Sequence, residues 1–157
     1  MKKTLVVYGT RPEYLKVKIL IESSDSIDSL FVKQHTDIID FGAFDYSIQI
    51  SNVCANRLNS IFEQIFLKAE NIISEYDNIV IQGDTATVAA ISLVAYHLKK
   101  KIFYIEAGLR SFDWENPFPE EGYRQMVSRI ATVNFCPTEL SAQNLRNEGV
   151  LGAVHTV

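Results

Sequence analysis

The sequence predicts an α/β fold, with short strands gathered in a mostly parallel sheet and helices between them. One observation predicts the class and two more bound the domain. Apolar runs of strand length alternate with longer segments of helical periodicity, the pattern of successive βαβ units. The 157 residues are 47% apolar and 22% charged, which matches one globular domain with a sizeable core. No internal repeat, low-complexity tract or Pro/Gly/Ser-rich linker divides them, so residues 1–157 are read as a single domain.

The first strand is TLVVY, residues 4–8, ended by Gly9. A helix follows over 12–23, with Thr10 as its cap and Pro12 in its first turn. SLFVK (29–33) is the second strand and SIQI (47–50) a weaker third. Residues 55–76 form the clearest helix, because Leu58, Ile61, Phe62, Ile65, Ala69, Ile72 and Ile73 fall on one stripe at helical spacing. NIVIQ (78–82) is the next strand. The helix over 85–98 is apolar nearly all round, which suits a position wedged inside the domain or pressed on a partner subunit. IFYIE (102–106) and VNFCP (133–137) read as strands, and a helix starts near Glu120 after Pro119. The closing LGAVHTV has the pattern of a strand leading into something further, so the chain is expected to be part of a longer protein.

Composition narrows the function classes. A net charge of -4 without a long Lys/Arg run disfavours a nucleic-acid surface. Cys54 and Cys136 stand alone, without CxxC or Cys/His spacing, and the three histidines lack ligand spacing, so neither a disulfide framework nor a metal site is expected. The apolar start is cut short at Gly9 and no membrane-spanning run occurs, so the expected compartment is the cytoplasm. No GxGxxG, GxxxxGK[ST] or GxSxG is present.

In open α/β sheets ligands bind beyond the carboxyl ends of the strands. Three strand ends carry charge here: Arg11 and Lys16 after the first, Asp84 after the fourth, and Glu106 after the fifth, followed by the loop to NPFPEEGYR with Glu120 and Arg124. Each has a plain structural reading beside the functional one. Arg11 and Lys16 suit solvated helix positions, Asp84 suits an N-cap for a helix at Thr85, and Glu120 with Arg124 suits an i,i+4 ion pair. Glu106 is harder to explain structurally, because a carboxylate closing a strand of buried type must be paired, hydrated in a cleft or protonated. Together the six suit a site where carboxylates move protons. His35 follows the second strand and could reach the same rim.

GTRPEYLKV, QGDTATVAA, IEAGLRS, PFPEEGYRQMVSRIA and FCPTELSAQNLRNEG resemble, in order and approximate spacing, the UDP-N-acetylglucosamine 2-epimerase family, over essentially the whole chain. The resemblance implies a three-layer Rossmann-like domain with a mostly parallel sheet, the N-terminal half of a GT-B-like two-domain architecture whose UDP-binding second domain is missing. It implies that Asp84, Glu106 and Glu120 are catalytic acids, and that Arg11, Lys16 and Arg124 organise the cleft and bind substrate. It implies a UDP-HexNAc substrate interconverted by elimination and re-addition of UDP for surface polysaccharide precursors, no cofactor, and a homodimer of the full-length enzyme. The proline bracket is expected to point Glu120 into the cleft, with Arg124 holding it. The family's activating second sugar-nucleotide segment is replaced here by Val32-Lys33-Gln34-His35-Thr36, so Gln34 and His35 mark a regulatory site only if one survives. The isolated chain is expected to lack turnover. A modified sugar nucleotide, hydrolysis instead of return of UDP, a non-catalytic assembly module and a flavodoxin-like domain are the competing readings.

Overall fold

The computed structural model describes residues 3–34 and 43–157. Among these residues seven strands form one sheet in the order β3-β2-β1-β4-β5-β6-β7, with parallel pairing throughout. The strands are β1 (Thr4–Tyr8), β2 (Ile27–Lys33), β3 (Tyr46–Gln49), β4 (Asn78–Gln82), β5 (Lys101–Ile105), β6 (Val133–Cys136) and β7 (Ala153–Thr156). The helices between them are α1 (Arg11–Ile21), α2 (Arg57–Ser74), α3 (Ala86–His97), α4 (Glu120–Ile130) and α5 (Glu139–Glu148). The order reverses between β1 and β4, so the first and fourth strands lie side by side with their carboxyl ends open to one crevice.

Strand alternation divides the core. Leu5 and Val7 of β1 join Ile61, Ile65, Ile91, Val127 and Leu145 from α2, α3, α4 and α5 in the larger cluster. Val6 and Tyr8 face the other way, onto Val17 of α1. Of the described helices, α2, α3, α4 and α5 therefore cover one face and α1 the other. α3 is the wedged helix: Ala86 to Ser92, Val94 and Ala95 are buried, and it packs between α2 and α4. Of the two positions open to an all-round apolar helix, the interior of the domain is the one occupied.

Local chemistry sets the element starts. Thr10 and Glu13 form a reciprocal capping box on α1, with Pro12 in the first turn. Asn56 caps α2 through Leu58 and Asn59. Thr85, not Asp84, caps α3, its hydroxyl accepting from the Val88 amide, so the expected capping role of Asp84 is not found. β5 ends at Ile105, one residue before the expected Glu106, and Glu106 itself adopts φ 64°, in the left-handed region. Gly108 (φ 82°) lets the following loop press on α5, because a Cβ there would collide with the Ser141 carbonyl.

Candidate active site

The carboxyl ends of β1, β4 and β5 and the first turns of α1 and α3 enclose an open cleft of about 410 Å³. Its charged lining is Glu13, Lys16, Asp84, Glu106 and Arg124, and Gln82 is its buried polar residue. Residues separated by more than a hundred positions are thus brought to one crevice by the topology.

Asp84 follows Gly83 (φ 91°) in the turn after β4, which no longer needs it as a cap. Arg124, on the second turn of α4, donates to its Oδ2 through Nε at 2.8 Å and approaches the same oxygen through a terminal nitrogen at 2.6 Å. Oδ1 accepts from no other side chain or amide among the described residues. Glu106 is held in the same way. Lys16 Nζ donates to Oε2 at 2.6 Å, Gln82 Nε2 donates to that same oxygen, and Oε1 has no partner among the described residues. Each carboxylate is therefore anchored through one oxygen, and the other stays available to accept or donate a proton.

A deeper layer supports these groups. Glu121 is fully buried; its Oε1 accepts from Gln125 at 2.9 Å and its Oε2 from the Ser111 amide and hydroxyl at 2.9 and 3.2 Å. Arg124 lies 3.6 Å from it, so the guanidinium sits between Glu121 behind and Asp84 in front. Burial alone would raise the Glu121 pKa, but hydrogen bonds from Gln125 and Ser111 and the charge of Arg110 outweigh it and hold the carboxyl below its ordinary value. Arg110, its side chain fully buried, pairs through two nitrogens with Glu148 at 2.7 and 2.9 Å and donates to Ser128, fixing the loop after β5 to α4 and α5.

Glu13 joins two of the turns. It is 3% exposed, and its carboxylate accepts from the amides of Gly9 (2.6 Å) and Thr10 (3.2 Å) and from the hydroxyl of Thr85 (2.9 Å). Burial raises its pKa, with those donors opposing. Tyr104, buried beneath, donates to the Gly83 carbonyl at 2.9 Å; burial and then the charge of Asp84 push its phenol well up.

Of the residues singled out from sequence, Lys16, Asp84, Glu106 and Arg124 meet in the cleft. Arg11 is exposed at the first position of α1 and is not among the lining residues. Glu120 is not among them either, and one of its oxygens is buried without a hydrogen-bond partner. Arg124 holds Asp84 and Glu121, so the expected Glu120–Arg124 pair is not formed: the carboxylate turned inward is the next one along. Gln34 donates to Thr87 at 2.6 Å, behind Gly9, outside the cleft lining; His35 lies outside the described residues. Glu13, Gln82 and Glu121 were missed. Thr10-x-x-Glu13 is a legible capping box, and Gln82 closes a buried strand as Glu106 was expected to, whereas Glu121 carries no comparable signal. Among the described residues no cluster of His, Cys, Asp and Glu could hold a metal ion.

The family model for UDP-N-acetylglucosamine 2-epimerase matches residues 15–157. The chain belongs to the UDP-N-acetylglucosamine 2-epimerase family. It is 35% identical over 162 residues to the UDP-N-acetylglucosamine 2-epimerase of Campylobacter jejuni, covering 95% of this chain and 42% of that protein. Among solved structures, the UDP-GlcNAc 2-epimerase of Neisseria meningitidis bound to UDP-GlcNAc matches with a TM-score of 0.88 and 31% identity, over 98% of this chain and 46% of that one. The Methanocaldococcus jannaschii UDP-GlcNAc 2-epimerase matches with a TM-score of 0.85, at 31% identity, over 100% of this chain and 45% of its own. The chain thus spans less than half the length of these epimerases. Membership sets aside the flavodoxin-like reading and agrees with the α/β class and parallel sheet expected from the sequence.

Proposed function

We propose that this chain is the catalytic half of a UDP-N-acetylglucosamine 2-epimerase, interconverting UDP-GlcNAc and UDP-ManNAc in a longer protein whose second domain completes the UDP pocket. The observation that carries the reading is the pair Asp84 and Glu106, on different strand ends of one cleft, each with one oxygen anchored and the other without a partner among the described residues. The C2 proton of the sugar is not acidified by a neighbouring carbonyl, so its removal must accompany departure of a stabilised leaving group. One carboxylate takes that proton, the C2–H electrons form the C1–C2 double bond, and the C1–O pair leaves with UDP. In the reverse step UDP adds back at C1 while a carboxylic acid delivers a proton to the opposite face of C2. Two acids on separate elements of one cleft suit that exchange of roles. Lys16 and Arg124 keep the cleft electrically balanced while charge moves. Glu120 is the third acid by family resemblance, and an unpartnered buried oxygen suits a group retained for something other than stability. A homodimer of the full-length protein is part of the same proposal, and the isolated chain is expected not to turn over.

The test is to incubate the full-length protein with UDP-GlcNAc in deuterated buffer and follow the sugar by proton NMR. Appearance of UDP-ManNAc with deuterium at C2 is the expected result. Free UDP accumulating with free sugar would redirect the proposal to a hydrolysing 2-epimerase, and UDP-GlcNAc left unchanged while a modified UDP-HexNAc reacts would redirect the substrate. Binding of UDP-GlcNAc without any exchange at C2 would favour the non-catalytic module.

A further inference from the structure

Gln82 is out of place on stability grounds. It closes β4, whose Ile79, Val80 and Ile81 are buried apolar residues, and it is itself 2% exposed. Only one end of its amide is satisfied: Nε2 donates to Glu106 Oε2, while Oε1 is buried without a hydrogen-bond partner. The amide orientation follows from the chemistry, since a carbonyl oxygen turned toward the carboxylate would be repelled. A half-satisfied buried amide lowers stability relative to an apolar side chain of the same shape. The residue it reaches is also unusual, because Glu106 holds φ 64°, a conformation that side-chain-bearing residues rarely adopt and that clusters at functional sites. Two local costs meet in one hydrogen bond beside the cleft.

We propose that Gln82 is a positioning residue that sets the orientation of the Glu106 carboxylate; this rests on the acid–base role of Glu106 proposed above. Lys16 and Gln82 approach the same oxygen from two different elements, α1 and β4. Lys16 alone is a weak anchor, since its side chain is about half exposed and its ammonium sits on a flexible four-carbon stem. Gln82 extends from a buried strand and its reach is short and fixed. With both donors on Oε2 the carboxylate cannot rotate freely about its last bond, and Oε1 remains the oxygen that meets the C2 proton.

The variant that separates this role from a packing role is Gln82→Met in the full-length protein. Methionine fills the same space, keeps no donor and removes the unpartnered oxygen, so thermal stability should be equal to wild type or higher. The expected kinetic result is a kcat reduced roughly 10- to 100-fold with KM within about threefold, because orientation at the reacting atom is lost and ground-state binding is not. Gln82→His, which restores an N–H donor, should recover most of the rate. A Q82M enzyme with kcat within about twofold of wild type overturns the inference. So does a fall in kcat that tracks a fall in thermal stability and is not recovered by Q82H. Wild-type protein that never exchanges the C2 proton removes the proposed function and this role with it, whereas active wild type with undiminished Q82M removes this role alone.

Discussion

Glu13 offers a stringent test of how the cleft is assembled. One buried carboxylate accepts from the turn after β1, through Gly9 and Thr10, and from the turn after β4, through Thr85. Replacing it with alanine strands three donors. A hydrogen bond to a charged acceptor contributes about 1.5–3 kcal/mol net, and a buried donor left alone costs about 1–3 kcal/mol. Relief from burying the charge offsets part of this, and water from the cleft can reach Thr10 and Thr85 but not the buried Gly9 amide. The net loss for Glu13→Ala should therefore be about 2–4 kcal/mol. Glu13→Gln is different. Its carbonyl can take the place of Oε2 and accept both amides, while its NH2 donates to the Thr85 hydroxyl, which reverses its role. That variant should stay within about 1 kcal/mol of wild type at pH 7, measured by urea unfolding of the 157-residue chain. The pH dependence adds a sign. Because burial raises the folded-state pKa of Glu13, its contribution is fully present below the unfolded value of about 4.3 and declines as pH rises through the folded value. The stability difference between wild type and E13Q should move against wild type over that window. An E13A chain within about 0.5 kcal/mol of wild type, or an E13Q chain as weak as E13A, would refute the bracing role.

The other expectations concern the charges around it. Arg124→Met leaves Asp84 and the buried Glu121 without their guanidinium, and should cost about 1–3 kcal/mol in chemical unfolding while lowering turnover of the full-length protein at least about 100-fold. Lys16→Met should leave the melting temperature nearly unchanged, since a half-exposed ion pair contributes about 0–1 kcal/mol, yet reduce kcat because Glu106 keeps only Gln82. Glu121 behaves oppositely to Glu13: its lowered folded pKa gives stability present above about pH 4.3 and lost as pH falls through the folded value, so Glu121→Gln should flatten the acid limb of unfolding followed by circular dichroism.

Much of the fold was legible because its strands are short apolar runs closed by polar turns. TLVVY and NIVIQ occupy the expected 4–8 and 78–82. β2 begins two residues earlier than expected, at Ile27-Asp28, where the mixed polarity hides a strand held by pairing with β1. α5 carried no expected helix of its own: only Ser141, Ala142 and Leu145 of ELSAQNLRNE are buried, too narrow a stripe to announce itself. At the site, residues directly after strands were readable, because a parallel sheet delivers its strand ends to one edge. Residues on helices were not. Arg11 faces outward while Glu13 faces in, and Glu120 lies outside the cleft lining while Glu121 packs inward. Adjacent helical residues differ by about 100° in direction, so the two carboxylates of PFPEEGYR could not be told apart without the helix phase. The same short motif held one acid for structure and left the other with an unpartnered oxygen.

The role of Glu106 at the C2 proton is measured by the rate of solvent deuterium entry at C2 of UDP-GlcNAc in the full-length protein carrying Glu106→Gln, compared with wild type under saturating substrate. Glutamine keeps the shape and removes the proton-accepting oxygen. A loss of at least about 100-fold with melting temperature retained is expected. Exchange at the wild-type rate would show that Glu106 does not handle the C2 proton.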